Sequence, residues 1–96
     1  MNDLFNLQGQ VAVVSGASSG IGVDMAKAYA RYGADIVVTG RRVERLEKVV
    51  EEIKEIGVDC IGVACDVTDT ESVENCVKEI MDHYGRIDIL HNNAGY

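Results

Sequence analysis

Val11-Ala12-Val13-Val14-Ser15-Gly16-Ala17-Ser18-Ser19-Gly20-Ile21-Gly22 decides how this chain is read. An unbroken apolar run followed by serine reads as a strand covered on both faces, as in a parallel sheet. The glycines come next, and apolar residues then recur at helical spacing, so residues 16–22 form a strand-to-helix turn. Glycine belongs where a backbone must take positive φ or approach another group closely. A helix starting there offers unpaired N–H groups and the positive end of its dipole, a ready site for a pyrophosphate. A strand before and a helix after give the glycine cluster its meaning.

Outward from this turn, strand and helix patterns alternate. Ile21, Met25, Ala28, Tyr29 and Tyr32 form a helical stripe stopped by Gly33. Ile36-Val37-Val38-Thr39 reads as a second strand, and Val43, Leu46, Val49, Val50, Ile53 and Ile56 as a second helical face ended by Gly57. Glu44 and Lys48 belong to its solvated side. Cys60 to Cys65 reads as the third strand, with Cys60 and Cys65 on opposite faces. Thr68 and Glu71 have the spacing of a capping box. Val73, Cys76, Val77, Ile80, Met81 and Tyr84 make a third helix ended by Gly85, and Ile87-Asp88-Ile89-Leu90 a fourth strand. The βαβαβαβ string predicts one α/β domain over residues 1–96, a doubly wound parallel sheet with right-handed crossovers. The expected strand order is 3-2-1-4, with ligand over the carboxyl ends where strands 1 and 4 meet.

Composition narrows the function. The chain has 96 residues, 47% of them hydrophobic and 26% charged, which is globular and allows a thin core. Its net charge of −7 argues against nucleic acid and anionic membrane as partners. Residues 1–5 show no basic, apolar leader pattern, and no apolar run reaches the roughly 20 residues of a membrane span, so a cytoplasmic protein is expected. The three cysteines form no CxxC pair and no cluster with His83 or His91, so they are expected to be buried thiols and no metal is expected.

Ser15 to Gly22 taken with Asn92-Asn93-Ala94-Gly95 resembles the short-chain dehydrogenase/reductase family of the classical type. Asp66-Val67 after the third strand and Asp88-Ile89-Leu90 before the second motif fit the same family, while Ser15 replaces its usual threonine. The resemblance implies a Rossmann-type fold and covers only the N-terminal, cofactor-binding part of a member. It implies that Gly16, Ala17, Ser18, Ser19, Gly20, Ile21 and Gly22 wrap the pyrophosphate and ribose. Asp66 would accept a hydrogen bond from the adenine amine, Val67 would lie against the ring, and Asn93, Ala94 and Gly95 would line the ribose side. Plainer roles stay open: a charge before a helix for Asp66, a turn for Asn92 and Asn93.

About 20 residues beyond the glycines, where a carboxylate would bind the ribose of NAD, stand Arg41 and Arg42. A guanidinium suits a 2′-phosphate, so NADP is expected over NAD, although both arginines also fit as surface charges. The family's catalytic Ser and Tyr-x-x-x-Lys are absent: Tyr29, Tyr32 and Tyr84 precede Gly33, Ile36 and Asp88 by four, and Ser72 opens a helix. The expectation is therefore an NADP-dependent alcohol/carbonyl oxidoreductase represented by its dinucleotide-binding part, inactive alone. The alternatives are a non-catalytic nucleotide-binding or interaction module and, less well matched, another nucleotide-binding protein such as a methyltransferase. An open edge on the fourth strand also predicts self-association.

Overall fold

The computed structural model describes residues 6–16 and 20–92, with the side chains of Ile21, Val43 and Asn92 outside that description. Seven elements follow in order: β1 (Val11–Ser15), α1 (Gly20–Arg31), β2 (Asp35–Gly40), α2 (Val43–Lys54), β3 (Cys60–Ala64), α3 (Thr70–Tyr84) and β4 (Ile89–Asn92). The strands form one sheet in the order β3-β2-β1-β4, all neighbours parallel. The doubly wound α/β arrangement and the strand order are those expected.

Two cores flank the sheet because successive strand residues point to opposite faces. Ala12, Val14, Ile36, Val38 and Cys60 meet Ala26 and Ala30 of α1 and Leu46, Val49 and Ile53 of α2. Val11, Val13, Val37, Val63 and Cys65 meet Cys76 and Ile80 of α3. Every residue of β1 is buried, which is why its run is apolar without alternation.

The inward face of α1 differs from the expected stripe. Gly22, Ala26 and Ala30 are buried there, whereas Met25, Ala28 and Tyr29 are only partly so and Tyr32 is exposed just past the helix end. Small residues at a spacing of four bring the helix axis close to the sheet, and close approach outweighs the size of the larger side chains. At α2 the fit is made on the strand side. A Cβ on Gly62 of β3 would lie 3.2 Å from Val50 Cγ2 and 3.3 Å from Leu46 Cβ.

α3 also corrects two expectations. Its N-cap is Asp69, whose Oδ1 accepts from the Glu71 amide at 3.1 Å, not Thr68. Thr68 is engaged instead by Asp66. On its far side Val77 and Met81 remain exposed, since only the Cys76–Ile80 flank reaches the sheet.

Gly85 ends the helix at φ 77°. β4 then starts at Ile89 rather than Ile87, because Asp88 is used as a clip. The Val11 amide donates to Asp88 Oδ2 at 2.8 Å, the Asp88 amide donates to the Val11 carbonyl at 2.9 Å, and Arg86 donates twice to the same carboxylate. No helix among the described residues is long and apolar enough to cross a membrane.

Candidate functional site at the carboxyl ends of the sheet

Parallel strands put all four carboxyl ends on one rim, and a hydrogen-bond ladder fixes that rim. Gly16 leaves β1 at φ 74°, a left-handed conformation that favours glycine, and its amide donates to the Thr39 carbonyl at 2.9 Å. The Cys65 amide donates to the Gly40 carbonyl, also at 2.9 Å. Gly16, Arg41 and Asp66 therefore stand side by side in the order of their strands. On the other side Asn92 is in register with Ser15.

At the first turn, Gly20 begins α1, and a Cβ there would meet nothing within 4 Å, while Gly22 is buried under the helix. Gly16 takes a left-handed conformation just after β1 and Gly20 opens α1, and a helix N-terminus is a site suited to an anion such as a pyrophosphate. Ala17, Ser18, Ser19 and the side chain of Ile21 lie outside the described residues, as do Asn93, Ala94 and Gly95.

At the second, Arg41 and Arg42 follow β2 directly and both are exposed. Arg42 is the N-cap of α2 and forms no side-chain capping bond, so this helix begins without the usual Ser, Thr, Asp or Asn. No carboxylate stands between Gly40 and the start of α2.

At the third, Asp66 is held by hydrogen bonds to both its backbone and its carboxylate. Its Oδ1 accepts from the Thr68 hydroxyl at 2.6 Å and the Thr68 amide at 3.0 Å, and its own amide donates to Ser72 Oγ at 2.9 Å. The two bonds from Thr68, and to a lesser degree the charge of Arg41, hold its carboxyl below the usual carboxylate range. Val67 beside it is half exposed, an apolar surface next to a fixed anion. Sequence reading missed the parts of Thr68 and Ser72. The signal was present in the Asp-x-Thr spacing, which favours a side-chain turn over a cap.

The remaining titratable groups lie elsewhere. Tyr84 Oη donates to Asp59 Oδ2 at 2.8 Å and His83 Nε2 stands 3.7 Å from the same atom, all at the opposite end of the sheet. His91 packs edge-on against Tyr29 with ring centroids 6.2 Å apart. All three cysteines are free and buried. Among the described residues no three His, Cys, Asp or Glu side chains gather as a metal site.

A parallel sheet of order 3-2-1-4, with a glycine turn at its switch point, defines a Rossmann-type dinucleotide-binding fold. The family profile described as short chain dehydrogenase matches residues 10–96, and the chain belongs to that family. It is similar to gluconate 5-dehydrogenase of Gluconobacter oxydans, with 45% identity over 93 residues, 97% of this chain and 36% of that protein. Among solved structures it resembles a metagenomic short-chain oxidoreductase in complex with NADP. The TM-score is 0.89 at 41% identity, covering 94% of this chain and 41% of the other. An NAD+-bound xylitol dehydrogenase superposes with a TM-score of 0.91 at 38% identity, covering 94% and 35%. The chain thus spans about a third of the length of the curated relatives it matches. Its structural relatives hold either cofactor, so the fold itself does not choose between them.

Proposed function

We propose that this chain forms the cofactor-binding part of an NADP-dependent short-chain oxidoreductase that interconverts an alcohol and a carbonyl. The bound dinucleotide would supply the hydride, and the residues here would hold and orient it. Gly16 to Gly22 would carry the pyrophosphate, Asp66 and Val67 the adenine, and Asn93, Ala94 and Gly95 the ribose side. Within these 96 residues no Tyr is followed four later by Lys. Binding without turnover is the expectation for the chain by itself.

The observation that supports NADP over NAD is the pair Arg41 and Arg42 at the end of β2, both exposed on the rim, with no carboxylate in the sequence between Gly40 and the start of α2. A hydrogen bond to a charged group contributes about 1.5–3 kcal/mol, or roughly ten- to hundredfold in affinity, with salt reducing it at an open rim. The start of α2 adds backbone N–H groups that favour the same phosphate. Fluorescence titration with NADPH and NADH tests the assignment. Arg41→Ala should lower the NADPH:NADH affinity ratio by about tenfold or more. An unchanged ratio would overturn the NADP reading and leave NAD as the cofactor.

A further inference from the structure

Around Asp66 the backbone and one carboxylate oxygen are each engaged from a different direction. Ser72, from the first turn of α3, accepts from its amide at 2.9 Å, and its carbonyl accepts from the Asp69 amide at 3.0 Å. Thr68 supplies both donors to Oδ1, at 2.6 and 3.0 Å. Among the described residues nothing donates to Oδ2. A carboxylate tied by one oxygen keeps its other oxygen for an external partner, and an ionised carboxylate can only accept. Thr68 itself is exposed, so its hydroxyl is not needed to fill a core.

We propose that Thr68 and Ser72 are positioning residues that hold Asp66 as a one-sided acceptor and thereby select a 6-amino purine over a 6-oxo purine in the bound dinucleotide. This rests on the reading above, in which Asp66 meets the adenine. The exocyclic amine of adenine donates a hydrogen bond to the open oxygen. Hypoxanthine presents a carbonyl oxygen at the same place, which leaves two acceptors face to face. Sites built around one such bond reject an analogue that cannot make it. The bond to an anion corresponds to roughly ten- to hundredfold in affinity. Without the Thr68 hydroxyl the carboxylate keeps its amide bond but can turn, so its open oxygen is no longer fixed and either base is met less selectively.

The test compares NADPH with its hypoxanthine analogue by fluorescence titration on the purified protein, with circular dichroism to establish that each variant is folded. The wild type should prefer NADPH by about ten- to hundredfold. Thr68→Val, which keeps the shape and removes the hydroxyl, should cut that preference by about threefold or more, and Thr68→Ser should restore it. Ser72→Ala, on the other side of the clamp, should also narrow the ratio, which keeps the test decisive if the valine variant does not fold. Valine and alanine variants that bind both nucleotides more weakly but at the wild-type ratio would overturn the proposal, since a merely structural role lowers both affinities together. A wild type that binds NADPH with no preference for adenine would overturn the Asp66 contact beneath it. A wild type that binds neither nucleotide would overturn the cofactor reading as a whole.

Discussion

Replacing Gly62 by alanine tests whether the seat of α2 on β3 is set by the missing side chain. The added Cβ would stand 3.2 Å from Val50 Cγ2, 3.3 Å from Leu46 Cβ and 3.8 Å from Val38 Cγ2. Apolar carbons prefer about 3.5–4.0 Å, so the first two contacts are short by a few tenths of an ångström. Neither can turn away. Leu46 Cβ is one bond from the helix backbone and its side chain is buried at 1% exposure, while a β-branched valine in a helix keeps one rotamer.

The helix must therefore move, and overpacking of this kind costs about 1–3 kcal/mol. Alanine recovers about 0.5–1 kcal/mol through the smaller backbone entropy of its unfolded chain. The net expectation is a destabilisation of about 1 kcal/mol, or a fall in Tm of about 4–8 °C for a chain this size. Urea unfolding followed by circular dichroism should show a lower midpoint at unchanged slope. Gly62→Ala in a Val50→Ala background should couple favourably by at least about 0.5 kcal/mol. A midpoint that rises in Gly62→Ala would refute the reasoning, because it would show that α2 yields without strain.

Asp88→Asn keeps an acceptor for the Val11 amide and removes the charge paired with Arg86. The Arg86 bonds first, and the Val11 amide second, hold the Asp88 carboxyl below the usual range. A depressed folded value stabilises above the unfolded value near 4 and loses that stabilisation as pH falls through the folded one. Below about pH 4 the wild type should therefore lose stability more steeply than Asp88→Asn, and parallel midpoint curves across that range would count against the clip. Burial, before any charge, pushes the thiols of Cys60 and Cys76 up to about 12. Buried thiols held protonated react slowly, so at pH 8 mass spectrometry should find both unlabelled by iodoacetamide in native protein and labelled in urea. Rapid native labelling would show that burial does not protect them.

Much of the sheet was legible because its strands carry their own signals. Val11 to Ser15 reads as a doubly covered strand and is one, and Cys60 and Cys65 do fall in opposite cores. Gly33, Gly57 and Gly85 all take positive φ at the stops expected of them. Legibility failed where a partner distant in sequence decides. The small face of α1 buries Gly22, Ala26 and Ala30 because the sheet is near, and periodicity weighted by size points to the wrong stripe. β4 begins late because Asp88 is bound to Val11 across 77 positions. At the rim, Gly16, Arg41 and Asp66 could be placed from strand ends alone. The Thr68 and Ser72 clamp is missed because Thr-x-x-Glu reads as a cap, while the competing Asp-x-Thr turn gives the hydroxyl a nearer acceptor in Asp66.

The strand order also sets a schedule. Of these four strands β1 is made before the others yet sits inside the sheet, with β2 an early neighbour and β4 a later one. The Val11–Asp88 contact spans 77 positions, which at 5–20 residues per second is a wait of roughly 4–15 s. Throughout that interval one backbone edge of an apolar strand stands open, able to pair with any extended chain nearby. Pairings over so long a separation also form late in the refolding of a complete chain, since loop closure precedes any gain. The order that gathers the four carboxyl ends into one rim thus leaves β1 paired on one side only until β4 has been made.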